Sequence, residues 1–404
     1  VSQKYPGGII SKTAPVTVGP VDGEGGSAPG IWTLTQALEL NKQNLWPKPV
    51  IPKQLWSWGL NNYGQLGLND TASRSSPVQI GALTTWSQMA AGLAFTLSTK
   101  TDGTLWSWGR NDNGQLGLND TYARSSPVQI GALTAWYQIA AGNQFSLSVK
   151  TDGTLWSWGT NTFGVLGLGD TVARSSPVQI GALTSWYQIA AGARHSLAVK
   201  TDGTLWSWGL NYAGQLGLND TATRSSPVQV GGLTTWSKIT AGKEFSLSIK
   251  TDGTLWSWGL NTSGQLGLGD AAYRSSPVQV GALTTWYQVS AGSFHTIATK
   301  TDGTIWAWGY NGQGQLGLND AVSRSSPVQV GALTTWYQIA AGGYHTLATK
   351  TNGTLWDWGY NQQGQLGIGD IVKRSSPVQV GALTTWSRLA KMPLGKFSLA
   401  LKTP

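Results

Sequence analysis

The sequence predicts an all-β fold, a seven-bladed β-propeller with an N-terminal arm, and three observations predict it. A segment beginning Leu55-Trp-Ser-Trp-Gly59 returns every fifty residues, with Trp56, Trp106, Trp156, Trp206, Trp256, Trp306 and Trp356 at one unbroken spacing. Each period holds four short alternating segments divided by turn residues, and four short antiparallel strands make one propeller blade. The first and last periods are complementary halves, so the chain can close on itself.

Within a period, Trp86-Ser-Gln-Met-Ala-Ala-Gly92 reads as a strand ending in small residues. That end belongs nearest the axis, where seven strands converge and bulky side chains would collide. Phe95–Lys100 alternates as a second strand, and Thr101-Asp-Gly-Thr104 is a tight hairpin signal. Leu105-Trp-Ser-Trp108 follows, with both Trp on one face. Pro127-Val-Gln-Ile130 is a short fourth strand, and its leading Pro suits an outer edge. Three Trp per repeat, 21 of the 23 in the chain, are then expected between blades, where large rings dominate packing.

The blade order is offset from the repeat. The chain ends with the first two strands of a blade, Trp386 to Lys402, and begins with the last two, Gln54 to Ile80. Phe397–Lys402 is therefore expected to pair with Gln54–Trp58, sealing the ring and removing its open edge.

Residues 54–404 form the expected propeller, and residues 1–53 differ from it. Up to Gly30 the segment is rich in Gly and Pro and reads as extended. Over about 33–43 a short helix is expected: Thr33 and Gln36 have capping-box spacing, Leu34 and Leu38 share a face, and Pro47 limits the far end.

Composition bounds the function. Basic residues number 27 against 18 acidic, a net charge of +9 that favours anionic surfaces without specifying nucleic acid, which is not the expected partner. There is no Cys, so disulfides and thiolate metal sites are excluded. No apolar run approaches membrane-spanning length and no signal segment opens the sequence, so a soluble chain without membrane insertion is expected.

Two resemblances follow from particular residues. Trp-Gly-x-Asn-x-x-Gly-Gln-Leu-Gly, as at Trp108 to Gly117, then Ser-Pro-Val, then Ala-Gly-x-x-His-Ser-Leu, as at Ala191 to Leu197, resembles the RCC1 (regulator of chromosome condensation) repeat in all seven periods. The resemblance implies a seven-bladed propeller. The family includes an exchange factor for a small GTPase, a light sensor, a ubiquitin-ligase module and a bacterial inhibitor of another enzyme, so the fold transfers and the function does not. The unbroken period leaves no room for the wedge of the exchange factor, and Trp repeated in every blade is scaffold rather than the light sensor's exposed cluster. Separately, Gly30 to Ala37 through Asn44 to Pro47 resembles a short segment of tailed-bacteriophage structural proteins. Through it, Trp32, Leu34, Leu38 and Trp46 would anchor the arm; a helix that merely caps the propeller is the alternative.

Differences among near-identical repeats mark candidate binding residues. Lys-Thr-Asp-Gly-Thr and Gly-Ala-Leu-Thr-Thr-Trp barely vary, whereas three loop sets do. After Ala-Gly the variable residues include Asn143, Gln144, Arg194, Lys243, Glu244, Phe294 and Tyr344. After Trp-Gly they include Tyr63, Arg110, Phe163, Tyr212, Tyr310 and Tyr360, and before Arg-Ser-Ser-Pro, Tyr122 and Tyr273. In an antiparallel blade all three sets leave from one face, and diversified aromatic and charged loops on a rigid scaffold suit binding. Drift in exposed loops is the competing account, but it should also have loosened the other face. The last blade replaces Ala-Ala-Gly with a longer basic loop, Ala390 to Lys396, placing Lys391 and Lys396 near the axis as part of a binding mouth or as a seam adjustment.

Catalytic signals are weak. His195, His295 and His345 occupy a position that is Phe elsewhere and read as core filling, without a nucleophile or carboxylate partner. Asp70 and Arg74, repeated through Asp370 and Arg374, read as local loop ion pairs. Gly-Gln-Leu-Gly-Leu lacks the Lys-Ser/Thr ending of a phosphate loop, and no His/Asp/Glu cluster has metal spacing. The expectation is a non-enzymatic binding protein without cofactor or metal. Its leading form is a virion component of a tailed bacteriophage, in tail, fibre or head decoration. The arm would join other virion proteins, or further copies of the chain, and the face would meet a host-surface glycan or protein. The alternative is a cellular, cytoplasmic interaction module that binds a GTPase, another protein or nucleic acid.

Overall fold

The computed structural model describes residues 51–404, and arm residues 1–50, including the expected helix over 33–43, lie outside them. Among the described residues there are twenty-eight β-strands and no helix. Chain order runs β1 (Gln54–Gly59), β2 (Arg74–Gln79), β3 (Trp86–Ala91), β4 (Phe95–Lys100), β5 (Leu105–Gly109), β6 (Arg124–Gln129), and so on to β27 (Trp386–Leu389) and β28 (Phe397–Lys402). They form seven four-stranded antiparallel sheets, one per blade, each ordered as in β3-β4-β5-β6. We number that blade 1, and the others follow the chain.

Blade 7 joins the two chain ends in the order β2-β1-β28-β27. Gln54 pairs with Lys402 and the register continues without interruption to Gly59 with Phe397. The expected closure is therefore the observed one.

The outermost strand departs from the reading in its bounds. It starts at Arg124, three residues before Pro127, and pairs with β5 only at Gly109↔Arg124, Ser107↔Val128 and Trp106↔Gln129, with an irregularity between. On an edge the missing Pro N–H breaks no ladder, so Pro sits inside the strand. The stretch it interrupts binds the neighbouring blade instead: Asn69 N donates to Ser125 O at 2.8 Å, and corresponding bonds run round the ring to Gly369 N and Ser75 O.

Packing between blades rests on tryptophan. Trp58, Trp108, Trp158, Trp208, Trp258, Trp308 and Trp358 are fully buried, and Trp108 Nε1 donates to Gln65 O of the preceding blade at 3.0 Å. Trp86 meets Trp106 and Trp108 edge-on, with centroids 6.2 and 6.0 Å apart. Burying one indole removes roughly 200 Å² from water, about 5 kcal/mol at ~25 cal/mol per Å². Edge geometry adds about 1 kcal/mol and a neutral hydrogen bond about 1, so area dominates. The Gly-Gln-Leu-Gly loop must approach this layer closely. Gly67 has φ +73°, and a Cβ there would stand 2.7 Å from Trp108 Nε1 of the next blade.

Candidate functional site

The loops after the first and third strands share one face, and their contacts link neighbouring blades. The third-strand loop of one blade meets the first-strand loop of the next. Arg194 stacks over Phe163 at 5.4 Å, Tyr212 donates to Glu244, and Tyr310 packs edge-on to Tyr344 at 6.1 Å. Closer to the axis, Lys243 lies over Phe294 at 4.8 Å and Phe294 meets Tyr344 at 6.2 Å. Lys243, Phe294, Tyr344 and Tyr310 thus form one continuous cation–aromatic track across blades 4 to 6.

A second patch lies at the blade 7–blade 1 junction. Arg110 stands over Tyr63 at 5.1 Å and pairs with Asp112 at 2.6 Å. Tyr360 bonds within its own loop to Gln362 at 2.7 Å. Asn143 and Gln144 are half-buried, and Asn143 Oδ1 is buried without a hydrogen-bond partner among the described residues. Tyr122 and Tyr273 are well exposed, at 73% and 47%.

Electrostatics tie two of these groups together. Burial raises the Tyr212 phenol above its ordinary range, and the hydrogen bond and charge of Glu244 push it further, so it stays a donor. Glu244 is buried, with 6% of its surface exposed, and the tyrosine holds it in place. Burial also raises the Tyr344 phenol.

The seam loop behaves differently from the other variable loops. Its backbone crosses the axis: Lys391 O accepts from Ala91 N at 3.2 Å, Pro393 O from Ser293 Oγ at 3.2 Å, and Gly395 O from Gly343 N at 3.0 Å. Within the loop Met392 and Leu394 are buried, while Lys391 and Lys396 are exposed. The structure places Lys391 in the axial channel, where Nζ approaches Ile239 O at 3.4 Å.

The histidines are buried. His195, His295 and His345 have no exposed surface, and Nε2 of each meets a hydroxyl of the next blade, Ser246, Thr346 or Ser398, at 2.8 to 3.0 Å. Burial lowers each imidazole to about 3, so all three are neutral. Seven Asp–Arg loop pairs stand at 2.5 to 2.6 Å, as the i,i+4 spacing suggested. Among the described residues no group of three His, Cys, Asp or Glu could hold a metal ion.

Sequence comparison did not single out the channel-facing third position of the inner strand. It is Gln in five repeats but Lys238 and Arg388 in two, a difference that the same repeat-by-repeat reading could have found. Also unforeseen is the stack of Lys100 over Trp106 at 3.5 Å, recurring through Lys350 over Trp356.

A family model described as the RCC1-like domain matches residues 129–401, and models of the RCC1 repeat match residues 54–98, 102–149 and 86–115. No curated protein matches the chain. Among solved structures, Prp20p from Saccharomyces cerevisiae, described with its binding to Gsp1p and histones, is similar with a TM-score of 0.78 and 22% identity, covering 88% of this chain and 92% of that one. The same yeast protein bound to Kap60 gives 0.77 and 21%, over 88% and 89%. Human WBSCR16 gives 0.77 and 23%, over 87% and 99%.

Proposed function

Since the chain belongs to the family of RCC1-like domains, we propose that it is a non-enzymatic interaction module that takes a protein partner on its diversified loop face. The observation that carries this reading is the track Lys243–Phe294–Tyr344–Tyr310, where variable residues of three blades meet in one surface. Aromatic and cationic side chains held on a rigid frame supply the anchors of protein interfaces. Yeast Prp20p, with Gsp1p, histones and Kap60 as its described partners, illustrates that such a propeller binds proteins. The yeast and human structures are of cellular proteins and favour the interaction-module reading. They lend no support to virion attachment, which rests on arm residues outside the described ones.

The test is affinity capture on the immobilised full chain, using extract of the native source. Three baits are compared: the unaltered chain, Phe294→Ala/Tyr310→Ala/Tyr344→Ala, and a control altered on the opposite face at Leu133→Ala/Leu183→Ala. The expected result is a protein retained by the first and third and reduced at least tenfold on the second. A partner lost equally from the control, or kept by the triple variant, would overturn the reading.

A further inference from the structure

The seven inner strands enclose an axial cavity of about 370 Å³. The seam loop crosses the axis at its diversified-face end, so the approach is from the opposite face. Moving inward from there, the first layer is a polar belt at the third strand position. Gln88 Nε2 donates to Tyr137 O at 2.5 Å, Lys238 Nζ to Tyr287 O at 2.5 Å, Gln288 Nε2 to Tyr337 O at 3.1 Å, Gln338 Nε2 to Ser387 O at 2.9 Å, and Arg388 Nη1 to Ser87 O at 2.9 Å. Beyond it comes an apolar layer with Met89, Ile139, Ile189, Ile239 and Val289, then the small ends of the strands and Lys391.

Charge along the described lining is one-sided: besides Arg388 it carries Lys238 and Lys391, and among the described residues no Asp or Glu. Each cation replaces a neutral residue of the other repeats, Gln at 238 and 388 and the small Ala at 391. The neutral residues evidently suffice for the fold. Lys391 Nζ reaches Ile239 O of blade 4, the residue after Lys238, whose own Nζ is held at the cavity wall by Tyr287 O and lies 4.1 Å from the Tyr287 ring. We propose that this axial cavity is a binding site for a small organic polyanion, one carrying two or more carboxylate or phosphate charges.

The surroundings suit such a ligand. Lys391 is exposed within the open channel and Lys238 is half-buried at its wall, and the Gln amides add neutral donors beside them. The surrounding walls lower the Lys391 ammonium below its ordinary range by desolvation even though the side chain is exposed within the open channel, and among the described residues no carboxylate lines the cavity beside it; a bound anion would raise it again. The volume falls within the range of small-molecule sites. The site is separate from the loop face, and its failure leaves the protein-binding proposal untouched.

The test is isothermal titration calorimetry of the full chain at low ionic strength with citrate, inorganic phosphate and, as a monovalent control, chloride. The expected result is one saturable site per chain for citrate or phosphate and none for chloride. The stronger of the two identifies carboxylate or phosphate as the recognised group. Lys238→Gln/Lys391→Ala, which restores the residues of other repeats and so keeps the fold, should weaken binding at least tenfold with an unchanged melting temperature. Absence of saturable binding by both anions, or binding that the double variant leaves intact, would overturn the proposal.

Discussion

The position shared by Phe95, Phe145, His195, Phe245, His295, His345 and Phe397 shows what a buried residue contributes and when it stops contributing. A neutral imidazole fills the Phe-shaped space and adds one hydroxyl contact across blades. Acid reverses that benefit. The folded-state value near 3 lies below the unfolded 6.5, so between those limits the unfolded chain binds more protons and stability falls as pH falls. Each His contributes a slope of ~1.4 kcal/mol per pH unit. Replacing all three by Phe should flatten the decline from pH 6.5 towards 3, measured as the denaturation midpoint at several pH values. Asp357 carries the opposite sign. It stands where most repeats have a Ser, is fully buried, and its two carboxylate oxygens meet no well-aligned partner among the described residues, so burial outweighs a weak pull from the Trp358 N–H and raises its pKa well above 3.8. Its folded value exceeds its unfolded one, so the protein loses stability as pH rises above 3.8. Ser57 Oγ at the equivalent place donates to Leu66 O at 2.8 Å. Asp357→Ser should stabilise the protein by about 1–3 kcal/mol at neutral pH, read from thermal melting.

At the scale of the element, the loop from the third to the fourth strand is tied by a buried Asn rather than by its visible ion pair. Asn211 Nδ2 donates to Asp220 O at 3.0 Å and Asp220 Oδ1 at 2.9 Å, while its Oδ1 accepts from the buried Leu216 N at 2.9 Å. Asn211→Ala strands that N–H and should cost about 2–3 kcal/mol. Arg224→Ala removes a half-exposed pair with Asp220 and should cost under about 1 kcal/mol. Chemical denaturation of the two variants would check the ranking. The elements themselves were legible because each blade repeats a local pattern: alternation, turn residues and small residues at the axial end. The face shared by the variable loops was legible from strand topology. The outer strand's early start was not, since its Ser-Ser-Pro stretch bonds the adjacent blade and its ladder is incomplete. The channel was hidden for a different reason. Gln88, Lys238, Arg388 and Lys391 come together only by closing the ring, and Lys391 meets a carbonyl 152 residues away.

At the scale of the molecule, stability depends on the blade that joins both ends. Phe397, Leu399 and Leu401 are fully buried, and burying each is worth roughly 2–3 kcal/mol. Removing residues 397–404 therefore forfeits about 6–9 kcal/mol, comparable with the whole stability of many domains, and leaves β1 with an open edge. The truncated chain should melt without a single cooperative transition and scatter light at micromolar concentration. The seam loop has a separate consequence. Genes with near-identical tandem repeats gain and lose copies by unequal recombination, and a propeller could in principle absorb one blade more or fewer. This loop has a fixed span, its backbone braced against blades 1, 5 and 6 through Ala91, Ser293 and Gly343. A narrower ring would not admit it, and a wider ring would draw Ser293 and Gly343 out of reach of Pro393 and Gly395. The loop is thus a gauge of diameter, and it ties the length of the reading frame to a count of seven.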